Sequence, residues 1–246
     1  MQDKNTLTIS GMVNVIEKSH EFHGEQFFRI LIDVIRLSEN VDTVPVIVSE
    51  KLLFNNAIAP GMFITVEGQI RTKNHKEGNA KSKLLVFGYA NDVTKITEEE
   101  LFASEIKNIV VMEGHVCKVP THRKTNTGRI ITDLSIACNR QYSKSDYIPC
   151  ITWGVTAKMA KKLRVGDKIK FTGRFQSREY RRKNDDIGVV NTAYEISISN
   201  IELVPETDTL EVPALALAIP NPSINDFENT AKMPFINKDI VLKEAV

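Results

Sequence analysis

The stretch that decides the fold is VGDKIKFTGRFQSREYRRK, residues Val165–Lys183. It opens on a Val-Gly-Asp turn and then alternates charged with apolar residues, as a half-buried β-strand does. Because successive side chains of a strand point to opposite faces, the apolar members are predicted to be buried, namely Ile169, Phe171 and Phe175. The opposite face then carries Lys170, Arg174 and Tyr180.

The end of this strand combines positive charge with an aromatic ring. Tyr180 stands among basic residues, which are Arg174, Arg178, Arg181, Arg182 and Lys183. Cations that neutralise a phosphate backbone, together with a ring on which a base can stack, are typical of proteins that bind single-stranded nucleic acid. The stretch alone leaves a solvated basic hairpin open as the alternative.

The same pattern occurs twice in the chain. Residues 61–71 match residues 166–176 at an offset of 105. Three further pairs of segments repeat at offsets of 103 to 105, namely 9–13 with 112–116, 44–47 with 148–151, and 93–96 with 198–201. Self-similarity at a constant offset predicts two copies of one domain of roughly a hundred residues.

Each copy is predicted to contain five strands, with a short helix after the third. In the first copy the strands are Leu7–Ile16, Glu25–Ile35, Thr43–Ser49, Phe63–Lys73 and Ser82–Ile96. In the second they are Ile106–Val119 with a break at Gly114, Gly128–Cys138, Tyr147–Trp153, Lys168–Glu179 and Thr192–Val204, with the helix over Thr156–Leu163. Five strands with a helix in this place favour the small closed barrel known as the OB-fold over a β-sandwich.

The predicted fold class is therefore all-β, with two tandem five-stranded OB-fold barrels and a largely disordered C-terminal tail. The predicted boundaries are residues 1–96 for the first barrel, 97–105 for an acidic linker, 106–205 for the second barrel and 206–246 for the tail. The tail is rich in proline and acidic residues.

Charge is distributed unevenly between these parts. The second barrel has 18 Lys and Arg against 9 Asp and Glu, whereas the first has 11 of each. The linker has 4 acidic residues and no basic ones. A basic block of this kind points to an acidic partner such as nucleic acid, and it identifies the second barrel as the predicted binding domain.

Composition excludes several other classes of protein. There is no apolar run of membrane-spanning length and no signal-peptide core, so a cytoplasmic protein is expected. The three cysteines, Cys117, Cys138 and Cys150, are widely spaced and predict buried thiols rather than disulfides or a zinc site. His20 and His23 are interpreted as exposed loop residues, not metal ligands. With no catalytic constellation and no cofactor motif in the sequence, we expect a binding protein and not an enzyme.

Residues 106–204 resemble the bacterial single-stranded DNA-binding proteins. The resemblance is carried by Leu134-Ser-Ile-Ala137 through Tyr142, Tyr147 through Trp153-Gly154, and Arg164-Val-Gly166 through Tyr180. It implies an OB-fold homo-oligomer that binds single-stranded DNA with little sequence preference during replication, recombination or repair.

The resemblance also assigns roles to individual residues. The positions of the family's base-stacking rings fall on Tyr142, Tyr147, Trp153 and Tyr180. The predicted nucleic-acid-binding set is completed by basic residues, which are Arg140, Lys170, Arg174, Arg178, Arg181, Arg182 and Lys183.

Two departures from the family pattern are apparent. At the four ring positions the first copy has Ser38, Thr43, Ser49 and His75, so it is expected to serve assembly or to extend the path of the strand. The family's tail ends in an acidic tip closing with Pro-Phe, which recruits replication and repair proteins; here Met233-Pro234-Phe235 is followed by eleven more residues. An interaction protein of a primosome-like assembly is the alternative function.

Overall fold

Strand pairing in the computed structural model closes two barrels within one continuous sheet. The structure describes residues 2–36, 38–76, 82–105, 107–125, 127–181 and 190–205. The predicted tail, residues 206–246, lies outside the described residues. None of the helices in the described ranges has the length and apolar character needed to cross a membrane.

The first barrel has the predicted element order. Its elements are β1 (Asn5–Phe22), β2 (Glu25–Ile35), β3 (Val41–Ser49), α1 (Glu50–Asn55), β4 (Phe63–His75) and β5 (Lys83–Lys95). The strands pair in the order β1-β2-β3-β5-β4, and β4 returns to β1 to close the barrel. Only β3 and β5 pair in parallel, because α1 and β4 intervene between them.

The second barrel repeats this topology. Its elements are β6 (Asn108–Val116), β7 (Thr121–Lys124), β8 (Ile130–Asn139), β9 (Ser145–Trp153), α3 (Gly154–Ala160), β10 (Lys168–Arg181) and β11 (Val190–Leu203). The ring of strands is β6-β8-β9-β11-β10, and β7 adds to the edge of β8. The predicted burial of the deciding stretch is confirmed, since Ile169, Phe171 and Phe175 all lie in the core.

The strand β1 extends to Phe22 instead of ending at Ile16, so His20 lies in a strand and not in a loop as predicted. The helix α3 spans Gly154–Ala160 instead of Thr156–Leu163, and β7 was not predicted.

Three further details differ from the sequence prediction. A helix, α2 (Glu98–Ala103), occupies the predicted linker, where a Thr97–Glu100 capping box stabilises its start. The strand β6 is not broken at Gly114 but continues through it to Val116. Gly114 is needed for closure, because a Cβ there would lie 2.6 Å from the carbonyl oxygen of Ala137 on β8.

The third difference concerns the last strand of each barrel. Ala90 pairs with Gly68 on β4, and Ile198 pairs with Gly173 on β10. The glycines correspond at an offset of 105, but Ala90 and Ile198 are 108 residues apart. The predicted match of 93–96 with 198–201 is therefore wrong by three residues. The three extra residues therefore lie in the sequence between Gly173 and Ile198.

Pairing between β1 and β6 joins the two barrels about a local two-fold axis. The two strands are antiparallel, and Leu7 lies opposite Val110, its own counterpart in the second copy. Ile9 pairs with Asn108, and Asn5 pairs with Met112. Asn5 and Asn108 are counterparts in the two copies, as are Ile9 and Met112, so the second pair repeats the first with the copies exchanged. Each inter-barrel contact is therefore expected to occur twice.

Two buried aspartates provide such a duplicated contact. Asp42 on β3 accepts hydrogen bonds from the backbone N–H of Ser177, at 3.0 Å, and from the Arg36 guanidinium. Asp146 on β9 accepts from the backbone N–H of Thr72, at 2.8 Å, and forms ion pairs with Arg71 and Arg140. Each carboxylate thus satisfies a strand edge of the opposite barrel, which would otherwise be left with an unpaired donor.

We expect removal of one of these carboxylates to destabilise the fold strongly. Asp146→Ala leaves the N–H of Thr72 and two guanidinium groups without their acceptor, at a cost of about 3 kcal/mol or more. Urea unfolding measures this cost. Glu17→Ala, which breaks the exposed Glu17–Arg29 pair, is the control and is expected to cost at most about 1 kcal/mol. Equal losses for the two variants would contradict a special role for Asp146.

The cysteines are free thiols, and two of the three are buried as predicted. Cys138 and Cys150 lie in the core, while Cys117 is half-buried and its thiol donates to the carbonyl of Ser135 at 3.1 Å. Burial, reinforced by the charge of Asp3, raises the pKa of Cys138 to about 12, and burial also raises the pKa of Cys150.

Thiol reactivity is therefore expected to be limited to one site in the folded protein. The thiolate is the reactive form, and raised pKa values keep Cys138 and Cys150 protonated at mildly alkaline pH. Titration with a disulfide reagent should label Cys117 alone in the native chain and all three cysteines after denaturation. Native labelling of Cys138 would contradict the burial described for it.

Candidate nucleic-acid interface

Strand β9 positions two of the four predicted rings on one face. Its residues Asp146, Ile148, Cys150 and Thr152 are buried, so the odd-numbered residues point to the outer face of the barrel. Tyr147 is 52% exposed there, and Trp153 lies on the same face at the end of the strand. The structure therefore places both rings where a ligand crossing the outer face of the barrel can reach them.

Trp153 occupies a position that a helix-capping residue would normally fill. It is the N-cap of α3, and no side-chain hydrogen bond caps that helix. The counterpart in the first barrel is Ser49, whose hydroxyl accepts a hydrogen bond from the N–H of Leu52 at the start of α1. Replacing a serine cap typically costs about 1 kcal/mol. The second barrel thus has an indole at a position where local stability favours serine.

Tyr142 lies in the turn between β8 and β9. Its side chain is 90% exposed, and its backbone has a φ of +59°. A bulky residue in this left-handed region is strained, and an exposed ring contributes little to folding. Strain without a folding benefit is characteristic of functional positions.

The fourth ring lies on β10, on the face opposite the core residues of the deciding stretch. Tyr180 is half-buried, and the guanidinium of Arg178 lies 5.9 Å from its ring centroid. Lys170 and Arg174 share this face by strand alternation, and Lys170 is exposed. Across the sheet, Ile151 on β9 pairs with Ser197 on β11, and Ser197 pairs with Arg174 on β10. Tyr147, Trp153 and the basic residues of β10 therefore lie on strands separated only by β11.

Two of the predicted cations have acidic partners. Arg178 donates to Glu195 at 3.1 Å, and the Nε atom of Arg140 lies 3.0 Å from the Asp146 carboxylate. These pairs hold each guanidinium in position but reduce the positive charge it presents. Arg140 in addition takes part in the contact between the barrels, a role that its sequence position does not reveal.

Arg174 differs from these two. Its guanidinium donates a hydrogen bond to the amide oxygen of Gln176, at 3.1 Å. Its buried Nε atom has no acceptor within the described residues. Burial lowers its pKa, and the nearby charge of Arg36 lowers it further. An arginine with an unused N–H donor on a face rich in rings is well suited to donate a hydrogen bond to a phosphate oxygen.

The end of the basic stretch is only partly described. Arg181 ends β10, where its backbone pairs with Val190. Arg182 and Lys183 lie outside the described residues. Their predicted role, like that of the side chain of Arg181, stays a prediction.

One cation near Trp153 was missed by sequence reasoning. Arg123 on β7 pairs with Ile131 on β8, and Ile131 pairs with Trp153 on β9, so the three lie in one row. Arg123 donates to Asp133 at 2.7 Å. The hydrogen bond with Asp133 raises its pKa. The run of three consecutive basic residues, His122–Lys124, was the available signal, but the strand β7 was not predicted.

A groove lies where the two barrels meet. It has a volume of about 480 Å³ and is lined by Gln2, Gln69, Arg71, Arg140, Gln141, Tyr142 and Lys144. Residues 69 and 71 come from β4 of the first barrel, whereas residues 140–144 form the turn that carries Tyr142. Three basic side chains and a ring therefore line a groove to which both barrels contribute. Elsewhere, no cluster of three potential metal ligands occurs in the described ranges.

Comparison with known proteins relates the second barrel to one family. The model of the single-strand binding protein family matches residues 107–204. Single-stranded DNA-binding protein 2 of Chlorobaculum tepidum is 28% identical over 107 residues, covering 39% of this chain and 70% of the relative. Single-stranded DNA-binding protein B of Bacillus subtilis is 29% identical over 83 residues, covering 31% of this chain and 74% of the relative. The match to the single-stranded DNA-binding protein of Lactiplantibacillus plantarum covers only 50% of that relative's length.

A solved structure shares the fold over a larger part of the chain. The single-stranded DNA-binding protein from Thermus aquaticus aligns with a TM-score of 0.64, covering 88% of this chain and 98% of that chain, at 17% identity. At this identity the likeness establishes the fold alone, and it extends to both barrels. The family match over residues 107–204 coincides with the second barrel, so this half of the chain is similar to the single-strand binding protein family.

Proposed function

We propose that this protein binds single-stranded DNA with little sequence preference and protects it during replication, recombination or repair. The observation that carries the proposal is the outer face of the second barrel, where Tyr147, Trp153 and Tyr180 are combined with basic side chains. Two rings, Tyr142 and Trp153, occupy positions that folding alone does not favour. The family match is to a binding protein, in keeping with the expectation of no enzymatic activity.

The proposed mechanism divides affinity between charge and stacking. Lys170, Arg174 and Arg178 neutralise phosphates and release counterions, which makes binding dependent on salt. The rings stack on bases, each contributing roughly 1–3 kcal/mol, and they do so with any base because every base has a π-face. A strand held in this way keeps its bases unpaired.

We also propose that the protein forms a homo-oligomer. Two barrels per chain mean that a homodimer presents four, the number typical of the family that the sequence resembles. We propose a homo-oligomer on this basis, and recruitment of replication or repair proteins by the tail on the basis of Met233-Pro234-Phe235 alone.

Stacking is tested through the single tryptophan. Saturation with oligothymidylate is expected to quench Trp153 fluorescence, and Tyr147→Ala should weaken binding by roughly 1–3 kcal/mol without unfolding the barrel. Phe102→Ala is a matched control, since Phe102 is a ring of similar exposure, 54%, on α2. An unchanged emission spectrum at saturation, together with wild-type affinity of the Tyr147 variant, would refute the proposed face.

The contribution of charge is tested by the dependence of affinity on salt. Replacing Lys170, Arg174 and Arg178 by glutamine should lower affinity and flatten the slope of log K against log salt by up to about 0.7 for each lost phosphate contact. Glutamine at Lys158, Lys161 and Lys162, which lie on α3 and the turn after it, is the control for net charge. A wild-type slope in the β10 variant would mean that these residues are only solvated surface.

A further inference from the structure

The first barrel has rings on its outer face, but at different positions from those of the second barrel. Phe27 on β2 lies opposite Ser49 on β3, and Ile131 on β8 lies opposite Trp153 on β9. The two pairs correspond, so the large ring has moved from the third strand to the second. When the two copies are aligned position by position, the first barrel has no ring at the position of Trp153. The structure shows a ring, Phe27, on the neighbouring strand of the same face.

Three rings form a row across this face. The rings of His20 and Phe27 are stacked, with centroids 5.0 Å apart and planes within 10° of parallel. Phe27 and Tyr89 follow at 6.1 Å. Phe27, the middle ring of the three, is buried, whereas His20 is exposed and Tyr89 is half-buried. We call these three residues the ring row; the counterpart of Tyr89 in the second barrel, by strand register, is Ser197.

Basic side chains lie beside the ring row on β4. Gln69 pairs with Tyr89, Arg71 with Phe87 and Lys73 with Leu85, and these residues face outward because the alternate residue Ile70 is in the core. Burial and the charge of Lys73 both lower the pKa of His20, which keeps its ring neutral at neutral pH. Glu25 is the acidic neighbour of Tyr89, whose pKa is raised by burial and by that charge. The face therefore combines stacking rings with cations, as the second barrel does.

The groove between the barrels connects the two faces. Arg71 lines the groove together with Arg140, Tyr142 and Lys144, and on β4 it also lies between Gln69 and Lys73, beside the ring row. A strand leaving the second barrel at Tyr142 thus meets Lys144 and the two arginines held by Asp146, Arg140 and Arg71, before it reaches Tyr89. Continuity of charge and rings argues for one occupant of both faces.

We propose that the ring row, with Arg71 and Lys73, is a second binding surface for the same single strand, reached through the inter-barrel groove. This inference rests on the proposed function of the second barrel. It assigns the first barrel a direct part in binding, and it predicts that one chain covers a longer stretch of nucleic acid than one barrel can.

The test uses the full chain carrying Tyr89→Ala with Lys73→Gln. Affinity for a long oligothymidylate is expected to fall by about 5- to 150-fold, the loss of one stacked base, and the number of nucleotides covered per chain at saturation should decrease. Quenching of Trp153 by a short oligothymidylate should persist, because the second barrel is intact. Phe54→Ala with Lys51→Gln removes an exposed ring and a lysine from α1 of the same barrel, neither of which belongs to the ring row, and is expected to leave affinity and coverage unchanged.

The outcomes separate the two proposals. If the wild-type chain binds no single strand, the proposed function fails. If the wild type binds and the Tyr89 and Lys73 variant matches it in affinity and coverage, only the second surface is refuted. Lys73→Glu tests the same surface without altering the packing around Tyr89, and it should weaken binding to the long strand alone; wild-type affinity of this variant would also refute the proposal.

Discussion

The pairing of β1 with β6 is the contact on which the arrangement of both barrels depends. Leu7 and Val110 lie opposite one another at its centre, and both are buried. Because the paired residues are counterparts in the two copies, the contacts around them are duplicated. Asn5 hydrogen-bonds the backbone of Ile70 through both ends of its amide, and Asn108 does the same for Phe175. A strand edge that would otherwise invite association with another chain is satisfied within the molecule.

The local symmetry is broken at two positions on the outer faces of β4 and β10. The counterparts of Gln69 and Arg71 are Arg174 and Gln176, so arginine and glutamine have exchanged places. On one side, Asp146 binds both Arg71 and Arg140. On the other, Asp42 pairs with Arg36, and Arg174 hydrogen-bonds the neutral amide of Gln176. The exchange leaves Arg174 of the second barrel without an ion pair to a carboxylate within the described residues.

Much of the fold was predictable because it depends on local patterns. Alternation gave the limits of β2 correctly and those of most other strands within a few residues. The aspartates Asp42 and Asp146 were not recognised, since nothing in a local pattern shows that a carboxylate will meet the backbone of another barrel. The shift from 105 to 108 between β5 and β11 was missed for a related reason, because register is set by pairing with β4 and β10. In the candidate site, the rings of the second barrel were predicted from the resemblance, but Phe27 and Tyr89 were overlooked. An alignment compares residues at equivalent positions, whereas these two rings lie on the corresponding face at other positions.

The contrast between Ser49 and Trp153 shows how the two barrels can share one fold and differ in their surfaces. Both residues end the third strand and precede the helix, and both have extended backbone. Serine caps the helix there, whereas tryptophan gives up that hydrogen bond and presents a ring. In the first barrel, Phe27 faces Ser49 across the strand pair, so the cap and a ring coexist. The first barrel thus has a ring on this face without the loss of a helix cap, whereas the second has its ring at the end of β9, where Trp153 is less buried than Phe27.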